Sequence, residues 1–276
     1  MGIFGINYNK PGPGVDKNAP KKKGITRFFE LVLREFGNLT KLNLLYLLTL
    51  LPSVTLFILA LSETCGIYMY ILSVVAALPV GGAVTACSFC IAKMLRDEPG
   101  FVFYDFRRKL KENFKQAAIP GILSIAFIYT QIYIWLNIAM GGIIAGYGTF
   151  LMLILSMIFI RMIIPYVFLQ TAYLHLKTIA IIKNSILISL KNAGRSFSGM
   201  LLGNAIPVAT FFLYPLSMWW MPILLFWGLS LPQLLNLMFI WPPVDEVFHI
   251  SETLITVQEE KIQDISPVFV SKETVD

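Results

Sequence analysis

Uncharged residues fill three long stretches of this chain: 42–92, interrupted only by Glu63, then 116–160 and 196–244. A helix rises ~1.5 Å per residue, so about 20 residues cross a hydrocarbon core of ~30 Å. Each stretch is about twice that length. The pattern therefore predicts six transmembrane helices in three pairs, which are 42–61 with 67–92, 117–137 with 143–162, and 197–214 with 218–241.

Short links join the two helices of each predicted pair, at 62–66, 141–142 and 215–217. Links of this length keep consecutive helices antiparallel and adjacent, so each pair is predicted to form a hairpin. The predicted fold class is therefore an all-α membrane protein. Its predicted domains are an N-terminal arm at 1–24, a six-helix transmembrane domain at 25–244, and an acidic tail at 245–276.

Basic residues lie on one side of this predicted topology. Eight Lys or Arg residues precede the first helix, seven lie between residues 93 and 115, and four lie between the fourth and fifth helices. The three short links hold none. The positive-inside rule places both termini in the cytoplasm, so the arm and the tail are predicted to be cytosolic.

Composition agrees with this class. Hydrophobic residues make up 57% of the chain and charged residues 14%, and mean hydropathy is +0.72, which excludes an ordinary soluble domain. The tail 245–276 carries a net charge of −6 and the rest of the chain +12. Because the basic part lies beside the inner leaflet, it favours anionic lipid headgroups over nucleic acid as a partner. The acidic tail is either a solvated extension or a contact for a basic partner.

A segment with helical amphipathic spacing precedes each predicted hairpin. Apolar faces beside basic ones suit cytoplasmic helices that lie in the membrane interface, or helices that dock onto a cytosolic partner. In the middle segment, Arg107, Arg108, Lys111 and Lys115 are the predicted contacts with headgroups or a partner. The apolar positions are Ile25, Phe28, Phe29, Val32, Phe36 and Leu39, then Phe103, Phe106, Leu110 and Phe114, then Ile182, Ile186, Leu190 and Ala193.

Polar side chains inside the predicted spans are the candidates for a ligand site, because polar groups are costly in hydrocarbon. Arg161 lies at the edge of an uncharged stretch, where it either snorkels to headgroups or lines a pocket. The amides and aromatic rings either hold a sugar-like neutral solute or serve as interhelical hydrogen bonds and an aromatic belt. These residues are Gln131, Tyr129, Tyr133, Asn204, Gln233 and Asn236.

Proline and small residues predict irregular helices at two places. Pro79 in the second span frees a backbone carbonyl, and Gly81 and Gly82 allow close helix approach, so this span is predicted to bend or break. Pro165 predicts a further break just after the fourth span.

Catalytic and metal-binding patterns are missing from the sequence. It has no G-x-x-x-x-G-K-S/T loop, no H-E-x-x-H and no paired acids inside the predicted spans. Cys87 and Cys90 form a C-x-x-C, but no histidine accompanies them in the span, so both are predicted to be small apolar residues. The chain is therefore predicted not to be an enzyme and to need no cofactor or metal.

Several segments resemble the YesL-like family of bacterial membrane proteins. They are GINYNKPGPGV in the arm, LNLLYLL in the first span, LPVGGAVTA leading into RDEPGFVFYDFRRKLKENFKQA, and the late WPP. One departure is Gly82, where the family pattern has a proline. The family is a domain of unknown function whose genes commonly lie beside carbohydrate ABC importers in Gram-positive bacteria. The resemblance implies a location in the bacterial plasma membrane and an accessory role in sugar uptake.

Two functional hypotheses follow. The first is a non-catalytic accessory or scaffold subunit that binds a carbohydrate ABC importer through its interfacial helices and tail. The second is a small-solute transporter or channel with a path between the hairpins. The charge-poor spans favour the first, because ion pathways usually need intramembrane acids or basic rings.

Overall fold

The computed structural model describes residues 24–62, 66–174, 176–213 and 220–257. Regular structure within these ranges is helical throughout, with no strand. The predicted arm, except Gly24, and the tail beyond residue 257 lie outside them. The helices are α1 (Gly24–Arg34), α2 (Phe36–Ala60), α3 (Gly66–Ala76), α4 (Leu78–Arg96), α5 (Val102–Ala139), α6 (Tyr147–Tyr173), α7 (Thr178–Lys191), α8 (Ala193–Leu213), α9 (Trp220–Trp227) and α10 (Ser230–Phe248).

Four helical segments are long and apolar enough to cross a membrane: Phe36–Ala60, Gly66–Arg96, Val102–Ala139 and Tyr147–Tyr173. They coincide with the first four predicted spans. In the most apolar windows of α2 and α6, only 22% and 17% of the residues are buried, so many large apolar side chains face outward. An apolar exterior of this extent is consistent with a membrane protein.

The predicted fifth and sixth spans correspond to α8 and to α9 followed by α10. Residues 214–219, which connect α8 to α9, lie outside the described ranges. The sixth span is not one continuous helix, because α9 ends at Trp227 and α10 begins at Ser230. Membrane crossing by these helices stays a prediction.

α5 differs from the expectation of a short amphipathic helix followed by a separate span. Both segments belong to one helix of 38 residues, which continues through Pro120. At ~1.5 Å per residue this helix is about 57 Å long, nearly twice the ~30 Å of a hydrocarbon core. The composition changes from basic to apolar near residue 116, where Pro120 cannot donate to the carbonyl of Gln116, yet the helix continues across this point.

The second span is interrupted between α3 and α4 at Ala77, and Pro79 occupies the first turn of α4. Proline is well suited to a first helical turn, where its missing N–H would have no partner. Pro165, in contrast, does not end a helix as the sequence suggested, because α6 continues through it to Tyr173.

α4 packs most closely against α5, at a pair of glycines. A Cβ atom added to Gly121 would lie 2.6 Å from the Cα of Gly81, and one added to Gly81 would overlap the carbonyl of Ala117. Only residues without a side chain permit this approach of two helix backbones. Gly81, which the sequence singled out as a residue that allows close helix approach, therefore forms this helix–helix contact.

The two ends of the bundle differ in charge. At one end, called the charged end, α1 and the start of α5 meet the end of α4 through ion pairs. At the other, called the far end, the end of α2, the start of α3 and the end of α5 come together.

α1 turns a charged residue inward and an apolar stripe outward. Arg27 and Leu31 are buried, whereas Ile25, Phe29 and Leu33 are 72%, 56% and 77% exposed. Phe28 and Val32 also pack against the core beside Leu31, so α1 carries apolar side chains on both its inner and its outer face. An apolar face directed away from the core is consistent with contact with lipid.

Candidate functional site

A buried amide on α2 lies at the break between α9 and α10. The Oδ1 of Asn43 accepts hydrogen bonds from the backbone N–H of Leu229 at 2.8 Å and of Ser230 at 2.9 Å. Its Nδ2 donates to the carbonyl of Leu225 at 2.6 Å. Backbone groups freed by a helix break cost several kcal/mol each when they lack partners in hydrocarbon. Asn43 supplies the partners that the break removes.

Asn43 was not among the residues that the sequence singled out. It is the only Asn or Gln in the stretch 42–92, so an isolated amide in an otherwise apolar span was the available signal. Nothing in the sequence indicated its partner, because the break in α9–α10 lies far away along the chain.

Arginines of α1 reach the end of α4 at the charged end. Arg27 Nη2 and Arg34 Nη1 each lie 2.6 Å from Oδ1 of Asp97. Asp97 adopts a left-handed conformation with φ of 64° as it ends α4, which Asp tolerates better than most residues. Burial lowers the pKa of Arg34 and hydrogen bonding to Asp97 raises it, and the net change is upward. These pairs tie α1 to the end of α4.

Further ion pairs fix the turn between α4 and α5. Lys93 Nζ lies 2.9 Å from Oδ2 of the buried Asp105, and Arg96 Nε lies 2.6 Å from Oε1 of Glu98. The Arg96 guanidinium also lies over the ring of Trp241 on α10, at 4.8 Å. Since both ends of the turn are anchored to the core, the residues on it are held in place.

Three aromatic side chains are exposed on this turn and at the start of α5. Phe101, Phe103 and Tyr104 are 84%, 63% and 63% exposed. We call these three residues the aromatic patch. Arg108 lies 5.6 Å over the ring of Tyr104, and Arg107 is exposed one turn beyond Phe103. Exposed aromatic side chains beside basic ones suit contact with a protein partner or with the membrane interface.

The four basic residues predicted to contact headgroups or a partner are all exposed along α5. Arg108 also pairs with Asp105 at 3.4 Å, so part of its charge is used within the protein. The other three, Arg107, Lys111 and Lys115, extend the basic surface from the charged end toward the apolar half of the helix.

A cleft of 730 Å³ lies at the far end, between α2, α3 and α5. The hydroxyl of Tyr70 shares a hydrogen bond of 2.7 Å with Oγ1 of Thr130, and Tyr133 and Asn137 add further polar atoms to a largely apolar lining. Its size and mixed lining suit a small neutral solute.

Tyr129 does not join Tyr133 in this cleft. Its hydroxyl lies 2.8 Å from Oγ of Ser53, which itself donates to the carbonyl of Ser73, and its ring stacks on Phe57 at 4.1 Å. Because Ser53 donates to the carbonyl, it accepts from Tyr129. This buried cluster joins α2, α3 and α5 and leaves no polar group of Tyr129 for a ligand.

The predicted amides make separate interhelical contacts. Gln131 donates to a serine hydroxyl of α6 at 2.9 Å, and Gln233 donates to a serine hydroxyl of α4 at 2.8 Å. Asn236 faces the glycines of α8, where a Cβ atom added to Gly199 would lie 3.0 Å from its Oδ1. The Oε1 of Gln131 is buried and has no hydrogen-bond partner among the described residues. These positions favour packing over a shared ligand site.

Arg161 and Asn204 are brought into direct contact. Arg161, in the middle of α6, donates to Oδ1 of Asn204 on α8. The Nδ2 of Asn204 donates to the carbonyl of Met200 at 2.6 Å, which orients its oxygen toward the guanidinium.

Cys87 and Cys90 are both buried and both free thiols. Within the described part of the chain, no group of three or more His, Cys, Asp or Glu side chains is arranged to hold a metal ion. The C-x-x-C therefore occupies the interior of the bundle beside other apolar residues.

Comparison with known proteins adds no relative. No protein-family model matches the chain, and neither the curated proteins nor the solved structures give a significant match. Membership of the YesL-like family therefore stays a proposal, carried by the segments quoted above.

Proposed function

We propose that this chain is a multi-pass protein of the bacterial plasma membrane, with six spans and both termini in the cytoplasm. Four long apolar helices with outward-facing side chains support the membrane placement. The charged end coincides with the basic loops that the positive-inside rule assigns to the cytoplasm. In intact cells, a Lys183→Cys variant that also carries Cys65→Ser should resist a membrane-impermeant maleimide, and labelling from outside would refute this orientation. The second substitution is needed because Cys65 lies in a link that this topology places outside.

We further propose that it serves as a non-catalytic accessory or scaffold subunit of a carbohydrate ABC importer. One observation supports this function best: the aromatic patch is exposed on a turn held by ion pairs, beside exposed basic residues. The choice of an importer as the partner comes from the resemblance to the YesL-like family.

Burial of the aromatic patch would be a strong driving force for association. Aromatic side chains bury ~150–250 Å² each, so three rings at the observed exposures offer about 400 Å². At ~25 cal/mol per Å² this area gives about 10 kcal/mol before costs. Association itself costs ~4–15 kcal/mol, less when the surface is already ordered. The patch can thus anchor an interface. Neighbouring residues such as Arg107 would add further contacts to it.

Affinity capture from native membranes, followed by mass spectrometry, tests this proposal. The wild-type chain should recover importer subunits in stoichiometric amounts, and the double variant Phe101→Ser with Tyr104→Ser should lose them. Tyr147→Ser is the matched control, because this tyrosine is 97% exposed but lies outside the charged end. Equal recovery with the patch variant and the control would refute the role of the patch.

A second candidate function is a small-solute transporter or channel, favoured by the far-end cleft and its polar residues Tyr133 and Asn137. Its path would run between the hairpins. Flux of a neutral sugar into liposomes that contain only this chain, lost in an Asn137→Leu variant, would support transport and overturn the accessory role. Capture of an importer without such flux would support the accessory role.

A further inference from the structure

The cation in the middle of α6 has no acidic partner near it in the sequence. Residues 113–244 contain no Asp or Glu, although they include Arg161 and most of the apolar helices. Among the described residues, Arg161 forms a hydrogen bond with the neutral Asn204 and no ion pair with a carboxylate. An unpaired cation at the centre of a membrane span costs ~2.5–3.5 kcal/mol or more, and less as it nears the headgroups, so a counter-ion from outside the chain would stabilise it.

The depth of Arg161 allows a headgroup to reach it. The amphipathic helix α7 packs on α6 through a buried cluster of Ile163, Val167 and Ile181. Amphipathic helices of this kind lie at the boundary between headgroups and hydrocarbon. Arg161 is only two residues from Ile163, so it lies just below that boundary on the charged side of the bundle.

Asn204 orients the guanidinium of Arg161 and occupies only part of its N–H donors. A guanidinium has five N–H donors, and Asn204 holds it in a defined orientation without neutralising it. The planar fork of an arginine matches the oxygens of a phosphate.

We propose that Arg161, oriented by Asn204, binds an oxyanion of the phosphate class between α6 and α8. The anion is supplied either by the headgroup of an anionic phospholipid or by free phosphate. The proposal rests on the membrane placement proposed above but not on association with an importer.

Native mass spectrometry of the detergent-purified, delipidated full chain tests the site with three probes: phosphatidylglycerol, inorganic phosphate, and diacylglycerol, which lacks phosphate. Wild-type chain should bind phosphatidylglycerol or inorganic phosphate, and Arg161→Gln should weaken that binding at least about tenfold, as expected for a lost charge-assisted hydrogen bond. Arg161→Lys, which keeps the charge but not the fork, should fall between them. Arg195→Gln removes an exposed arginine at the start of α8 and should leave binding unchanged.

The two phosphate-bearing probes distinguish the sources of the anion. Binding of phosphatidylglycerol that Arg161→Gln weakens indicates a lipid headgroup, and binding of inorganic phosphate that Arg161→Gln weakens indicates free phosphate. If that variant does not fold, as judged by circular dichroism, Asn204→Ala should still reduce binding. Equal binding by wild type, Arg161→Gln and Arg195→Gln would overturn the proposal, as would binding of diacylglycerol as strongly as phosphatidylglycerol. Failure of the membrane placement would be seen separately, as recovery of the wild-type chain in the soluble fraction of lysed cells after ultracentrifugation.

Discussion

Replacement of Asn43 by leucine isolates the energetic role of the amide at the α9–α10 break. Leucine has the same number and branching of side-chain heavy atoms, so the variant removes the hydrogen-bonding groups and keeps the outline of the side chain, while its bulkier methyl groups add a cost of overpacking in the same direction. Two backbone N–H groups, of Leu229 and Ser230, and the carbonyl of Leu225 lose their partner together. Because Asn43 is fully buried, water does not readily replace it.

The size of the effect follows from these three bonds. Hydrogen bonds between helices in a membrane protein average ~0.6 kcal/mol, so three give about 2 kcal/mol as a lower value. A buried group left without a partner costs ~1–3 kcal/mol, which raises the expected loss toward about 5 kcal/mol when the break cannot relax. We expect Asn43→Leu to lower the free energy of unfolding by about 2–5 kcal/mol.

Equilibrium unfolding in mixed micelles, followed by circular dichroism, measures this loss. Asn137→Leu is the matched control, because the Asn137 amide donates only to the Tyr133 carbonyl within its own helix and is partly exposed. Hydrogen exchange should show the amides of Leu229 and Ser230 exchanging faster in Asn43→Leu alone. Equal stability of the two variants, or unchanged exchange at the break, would refute the assignment.

Four residues or pairs give further predictions. Gly81→Ala should lower the free energy of unfolding by about 1–3 kcal/mol in the same assay, because its methyl group meets the backbone of α5; unchanged stability would contradict the close contact. Asp97→Asn should release the two arginines of α1, and the α1 amides should exchange faster than those of α2. Cys87 and Cys90 should resist maleimide in the folded protein and react after denaturation, in a variant whose third cysteine is serine; labelling before denaturation would contradict their burial. Tyr129→Phe should cost about 1 kcal/mol on unfolding, for one lost hydrogen bond to a buried serine.

Hydrophobic length predicted the first four apolar helices well, because lipid as a solvent imposes a minimum length on any span. The same signal could not predict that α5 is one continuous helix. The composition changes at residue 116, whereas the helical conformation continues through it. It also could not predict which face of α1 is buried. An amphipathic pattern shows that two faces differ, but Arg27 turns inward only because Asp97, distant in sequence, lies there to receive it.

The candidate residues divide in a similar way. Polar side chains in apolar stretches were identified from composition alone, and Arg161 does meet Asn204. Their grouping was not predictable, because it depends on helix rotation: Tyr129 and Tyr133 are one turn apart on α5, yet one is buried among serines and the other lines the far-end cleft. Asn43 was missed because its importance comes from a break elsewhere in the chain.

The uninterrupted length of α5 gives the molecule a mechanical connection between its two faces. Tyr133 and Arg107 are 26 residues apart on a single helix, which is about 39 Å along its axis. A tilt of only about 5° around the Gly81–Gly121 contact would shift the ends relative to each other by about 3 Å. A protein seated on the aromatic patch would thus gain leverage over the width of the cleft at the far end of the bundle.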